Sequence, residues 1–247
     1  MFEFLINFFY ITLYQPLFNC LVLLYNYIPN HDFGIAIIIL TLIIRVILYP
    51  LSIKAVNSQK NLQELQPKIQ EIQKKYKEDK ENLAKETLEL YKKEKINPFS
   101  GLLLALIQLP ILIALYRVFW QGLNPEELSN LYQFVFNPGH INSFFLGTID
   151  LSKPNLILAI LAGLAQYFQT KMLLPKTNLS AKKQGGAPDF SQVMQKQMVY
   201  FFPVITIIIL LGLPSALGLY WTAGGLFSII QQYLILRKDN KPKSIGV

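Results

Sequence analysis

The chain has 247 residues, 52% of them hydrophobic and 15% charged, with a mean hydropathy of +0.34. A soluble domain carries about 25% charged residues, so the composition excludes an ordinary soluble enzyme and points to a membrane. The net charge of +8 would suggest nucleic acid in a soluble chain. Here its placement along an apolar sequence decides, and no sequence-specific nucleic-acid binding is expected.

Residues 1–30 open with "MFEFLINFFYITLYQPLFNCLVLLYNYI", apolar and aromatic, interrupted by Pro16 and dotted with Asn7, Gln15, Asn19 and Asn26. The stretch lacks the basic n-region and small-residue cleavage site of a secretory signal. It also lacks the Arg/Ser bias of a transit peptide, which favours a bacterial cell membrane over an organelle. An amphipathic helix in the outer interface and a sixth, N-in span both satisfy it; the interfacial placement is preferred. "LFNC" is a poor lipoprotein box, since Asn19 is wrong before the cysteine and no basic residue precedes it. Cys20, the one cysteine, reads as a buried free thiol and excludes an internal disulfide.

A helix needs about 20 mainly apolar residues to cross a bilayer. Residues 33–54, 100–121, 154–173, 197–213 and 215–236 qualify, which predicts an all-α, polytopic membrane protein with a bundle of five transmembrane helices. With flanks, the segments are 31–54, 98–122, 154–173, 197–213 and 215–236. Pro98 suits the first turn of the second span, where a missing N–H costs nothing. The "LGLPSALG" stretch separates the last two by a tight outer turn.

Orientation follows the lysines and arginines. Residues 54–96 hold 11 lysines, residues 118–152 hold none, and 171–196 and 237–247 are basic again. The first span therefore runs outside to inside. Segment 55–97 is cytoplasmic, 123–153 extracytoplasmic, 174–196 a polar cytoplasmic loop and 237–247 a cytoplasmic tail. Arg117 is the exception, near the outer end of the second span, where its side chain can snorkel to the headgroups.

Within 55–97, Leu62, Leu65, Ile69, Ile72 and Tyr76 recur at spacings of three and four, and Leu83, Leu88 and Tyr91 supply a second stripe beyond "KEDKEN". Two amphipathic helices folded as an antiparallel hairpin would bury both stripes. Counted from Lys54, eleven lysines face eight acidic residues, so most of that charge is a solvated face; a docking surface is the minor reading.

Arg45 interrupts the first span. An arginine at the centre of a membrane helix costs about 2.5–3.5 kcal/mol on insertion scales. Taken as one helix over 33–54, the span leaves Arg45 about 13 Å from its cytoplasmic end. A structural ion pair or a short, tilted helix would be the plain explanation, yet no Asp or Glu occurs in any predicted span. Thr41, one turn away, and Gln108, Gln166, Gln169, Tyr220 and Trp221 in other spans offer only neutral partners. Since arginine does not lose its proton, the favoured solution is water: a positively charged inlet reaching Arg45 from the cytoplasm.

The only histidines, His31 and His140, fall in outer segments. No HExxH, G-x-S-x-G or G-x-x-x-x-G-K-[ST] motif is present. These absences argue against a metalloenzyme, an intramembrane serine protease and an ATP-driven pump; a non-enzyme without cofactors is expected.

Several stretches in order, "YQPLFN", "FGIAIIILTLIIRVILYPL", "LQPKIQEIQKKYKEDKENLAKETLELYKKEKINPFSG", "LIQLPILIALYRVF" and "LPSALGLYWTAGGLFSIIQQYLI", give the chain a resemblance to the YidC/Oxa1/Alb3 membrane protein insertases. It runs from about Gln15 to Arg237 and looks like the short, five-span form without a large extracytoplasmic domain. The resemblance implies a hydrophilic groove open to cytoplasm and lipid. Arg45 would be its arginine, Thr41 the polar residue a turn before, and Tyr220 and Trp221 an aromatic pair contacting substrate, with Gln108 and Gln166 as further wall residues. It implies that the hairpin, with Leu65, Pro67, Ile69 and Tyr91, is needed for activity. Implied partners are nascent membrane proteins and membrane lipids, with the Sec translocon and the ribosome as further candidates, although the tail after Arg237 lacks the long basic ribosome-binding extension. A small anion channel or transporter, and a membrane-anchored scaffold, stay as alternatives.

Overall fold

The computed structural model describes residues 2–77, 79–97, 100–122, 124–173 and 197–239. The loop expected over 174–196, the Pro98 helix start and the tail after Asp239 lie outside the described residues. Helices make up nearly all the regular structure, in keeping with the all-α expectation.

Helices α1 (Phe2–Phe9) and α2 (Gln15–Tyr27) are joined by a π-helical turn at Tyr10–Tyr14. Pro16 cannot donate to the Thr12 carbonyl, and the widened turn takes up the misfit. The scattered polar groups of α2 and the turn before it all hold the connection between the second and third expected spans. Asn19 Oδ1 accepts from the Tyr132 amide at 2.6 Å, and Asn26 donates to the Phe136 carbonyl at 2.6 Å. The Tyr14 hydroxyl donates to Glu127 at 2.8 Å, and Tyr25 accepts from the Asn142 amide at 2.9 Å.

Helix α3 (Phe33–Ile47) starts at Asp32, whose carboxylate accepts from the Ile35 amide at 2.9 Å and from the Leu146 amide at 2.6 Å. The first caps the helix; the second ties it to the connection over 124–153. The run expected as one helix over 33–54 breaks at Leu48. Helix α4 (Tyr49–Lys75) leaves at 66° to α3. Pro50 explains the break, because it has no N–H for the ladder and sits in the first turn of α4, where none is needed.

Helix α5 (Lys80–Lys93), capped by Asp79, returns along α4. Leu65 and Ile69 are buried in this hairpin, Tyr91 is half-buried, and Pro67 lies exposed on its outer face. Lys68 and Glu94 pair across it at 2.5 Å. Leu88 departs from the expected stripe and stands 55% exposed. Five residues beyond Leu83, it is turned about 140° away on a 3.6-residue helix. Thr87 and Leu90 take the inward places instead.

Helix α6 (Ser100–Gln121) leads into the connection over 124–153, which carries a two-stranded antiparallel ribbon, β1 (Phe144–Phe145) and β2 (Ile149–Asp150). Leu146 and Gly147 turn it with positive φ. The Phe145 ring lies directly on Gly34 of α3, where any Cβ would collide with it. Asn155 caps α7 (Leu156–Met172). A π turn precedes α8 (Phe202–Leu210), and α9 (Ser215–Asp239) closes the described chain. Helices α7, α8 and α9 approach closely over glycines: Gly163 meets Ile207, and Gly225 meets Ala165. Such small residues let membrane helices pack without a hydrophobic drive between them. The apolar core sits toward the end that carries the ribbon, where Phe18, Leu21, Phe33, Ile37, Leu115, Phe119 and Leu151 are fully buried.

By length and composition, Glu3–Tyr27 can cross a membrane alone, and the bent α3/α4 pair makes a second candidate. Leu106–Gln121, Leu156–Met172 and Val199–Leu210 are shorter apolar helices.

Candidate functional site

The last helix supplies the spine of the site. Tyr220, Gly224, Ser228 and Gln231 recur at steps of four, four and three on α9, which places them on one face. Three helices meet that face. From α6, Gln108 donates to the Tyr220 hydroxyl. From α3, the Arg45 guanidinium lies over Gly224. From α4, Ser52 accepts from Gln231. Ser228 donates to the Gly224 carbonyl at 2.9 Å, so its hydroxyl stays on α9.

Arg45 is half-buried in the last turn of α3. Among the described residues no carboxylate pairs with it, and its Nε is buried without a hydrogen-bond partner. The helix ends two residues later at Ile47, so the expected 13 Å of further helix is replaced by about 3 Å. The carbonyls at that end carry partial negative charge toward the cation, a contribution that a continuous helix would not make.

The other expected positions divide into three groups. Gln108 and Tyr220 are brought together, with Tyr220 only 3% exposed. Trp221, the next residue, is half-buried and packs on the apolar core. Thr41 is fully buried, and its hydroxyl donates to the Ile37 carbonyl at 2.6 Å; it serves its own helix, not the guanidinium. Gln166 on α7 has a buried Oε1 without a partner, as does Gln232 on α9. Leu65, Pro67, Ile69 and Tyr91 lie in the hairpin, on the far side of the bend from Arg45.

Ser52, Gly224, Ser228 and Gln231 were not singled out from the sequence. Their signal was a matched spacing: seven residues separate Arg45 from Ser52 and Gly224 from Gln231. The equal spacing is a weak signal, because Arg45 and Ser52 stand on either side of the break at Leu48 and Gly224 carries no polar group. Chemically the seam offers a permanent cation with free donor capacity, several neutral hydrogen-bonding groups and no base or nucleophile beside it. Among the described residues no group of three His, Cys, Asp or Glu could hold a metal ion.

These features define an all-α membrane protein with a polar, cationic seam inside an apolar bundle. The profile of the 60Kd inner membrane protein family matches residues 23–242. A protein of Fusobacterium nucleatum subsp. nucleatum named "Membrane protein insertase YidC" is 36% identical over 86% of this chain and 89% of its own length. One of the same name from Clostridium tetani is 37% identical over 86% of each. A solved structure described as "Active YidC insertase crystal structure with the first transmembrane domain resolved" matches with TM-score 0.56 and 29% identity. It covers 89% of this chain, and this chain spans 46% of it. The chain belongs to the 60Kd inner membrane protein family, that of the YidC insertases.

Proposed function

We propose that this chain is a membrane protein insertase that works through the seam around Arg45. The observation that carries the reading is a half-buried guanidinium from α3 lying over Gly224 of α9, with no carboxylate paired to it among the described residues. The names of the relatives support it. Lysine distribution orients the protein, with 55–97 and the C-terminus cytoplasmic and 123–153 outside. Hydrogen bonds from Tyr14 to Asn26 onto the outer connection support laying α2 along the outer surface.

Arg45 stands twelve residues after Phe33, about 18 Å along α3. With Phe33 at the outer edge of a hydrocarbon core about 30 Å thick, the cation still lies within the bilayer. Only water or a polar guest satisfies it there. A short polar or acidic segment of a nascent membrane protein enters from the cytoplasm toward Arg45 and crosses a shortened apolar barrier. Its hydrophobic segment leaves laterally into lipid, at about 25 cal/mol per Å² of apolar area buried. A membrane potential, outside positive, adds about 2.3 kcal/mol per acidic charge per 100 mV. No nucleotide enters this scheme, and the Sec translocon and ribosome are optional partners of the cytoplasmic face.

The test is reconstitution in liposomes with a single-span substrate bearing a short acidic N-terminal tail. Insertion without ATP is expected. Arg45→Lys should retain most of it, and Arg45→Ala and Arg45→Glu should lose most, since no bidentate partner demands the guanidinium. Alanine activity equal to wild type defeats the reading; ion flux without insertion favours a channel.

A further inference from the structure

Two adjacent glycines inside α9 are each unfavourable for a helix relative to alanine, and their neighbours differ. A Cβ on Gly225 would meet the Ala165 Cβ at 2.8 Å, so that glycine admits helix α7. A Cβ on Gly224 would meet Arg45 Nη2 at 2.6 Å, Nε at 3.0 Å and Cζ at 3.2 Å. Three atoms of one guanidinium lie across the bare backbone. The same seating accounts for the stranded Nε, covered by α9 and offered no acceptor.

We propose that Gly224 is a positioning residue: its missing side chain seats the Arg45 guanidinium flat against the last helix and leaves the Nη edge as its working face. The proposal rests on Arg45 being the cation that receives substrate. What a methyl group would displace is the end of a flexible side chain, so the fold can absorb the change while the direction of the charge cannot. At Gly225 the obstacle is a Cβ fixed to a helix, and the fold itself must yield.

The chain has three arginines, and Arg117 and Arg237 are both exposed; they act as internal references for an arginine-specific reagent. The experiment uses the full chain in liposomes and measures phenylglyoxal modification of each arginine by peptide mass spectrometry. Thermal stability and substrate insertion are measured in parallel. For Gly224→Ala we expect an unchanged or higher Tm and an Arg45 rate, relative to Arg117, raised as Nε is uncovered. Insertion should fall about threefold to tenfold, the scale of one side chain pushed off its rotamer. Gly225→Ala should instead lower Tm. The double variant Gly224→Ala, Arg45→Lys should insert as well as Arg45→Lys alone, because an unbranched amine clears the added methyl. Unchanged Arg45 reactivity in Gly224→Ala overturns the proposal, as does a defect that Arg45→Lys fails to relieve or a Tm loss matching that of Gly225→Ala. If Arg45→Ala inserts normally, the insertase seam is wrong, and the reactivity ratio still decides the seating.

Discussion

At Arg45 the local helix meets only part of the electrostatic demand. The end of α3 contributes about 0.3–1 kcal/mol to a nearby cation, against the about 2.5–3.5 kcal/mol that an arginine costs in mid-membrane. The balance falls to whatever meets the Nη groups, since the helix end alone covers only a minor part of the cost. Gln108 and Tyr220 are a neutral counterpart, each satisfying the other. Tyr220→Phe should destabilise by about 1–3 kcal/mol, because Gln108 is left half-buried with a stranded donor, whereas Gln108→Leu with Tyr220→Phe together should cost less. Chemical denaturation of these two variants and of Gln108→Leu alone tests this; a double loss equal to the sum of the two single losses would mean the pair is not coupled. Arg45 was legible in the sequence because a charge in an apolar run admits few explanations. Gly224 was not, since a glycine carries no sign of which helix approaches it.

Helix α3 and helix α4 show how a single residue redirects an element. Hydropathy runs straight through "RVILYPL" and suggests one span, while Pro50 ends the ladder and turns the chain by 66°. Pro50→Ala restores an amide that can complete the ladder. At 1.5 Å per residue the separation between spin labels at positions 38 and 74, in a Cys20-free background, should then lengthen by about 7 Å. An unchanged distance would assign the bend to the packing of α4 on α6 instead. The hairpin stripe was readable at Leu65 and Ile69, where spacing alone fixes the face. It misled at Leu88 because a five-residue step leaves that face. The polar residues of α2 were visible in the sequence, but their partners lie more than 100 positions away, and periodicity carries no information at that range.

Across the whole molecule the two ends are built differently. The end that carries the connection over 124–153 is tied by Asp32 to Leu146, by Phe145 on Gly34 and by the α2 bonds to the connection. The first turn of α9 joins it: Ser215 donates to the Lys153 carbonyl at 3.0 Å and Ala216 to the Leu151 carbonyl at 3.1 Å. Asp150 organises that corner. Burial raises its pKa, but hydrogen bonds from Ser152, Lys153 and Ser143 outweigh this and hold the carboxyl well below the usual range. A depressed carboxylate stabilises the fold above its unfolded pKa and loses that contribution as pH falls below about 4. Amide protection over residues 143–153, corrected for intrinsic exchange, should therefore drop on acidification. Asp150→Asn should show the lower protection already at neutral pH, with little further change. A wild-type profile flat to pH 3 contradicts this.

The end that carries the α4–α5 hairpin has a different mechanical character. Helix α4 spans 27 residues, about 40 Å, and its fulcrum at Leu48 is three residues from Arg45. A tilt of about 5° at that fulcrum carries the tip of the hairpin about 3 Å at this rise per residue, while the guanidinium hardly shifts. Small changes of angle near the cation are thereby amplified into large displacements of the hairpin tip, and a push on the tip returns to the seam as torque.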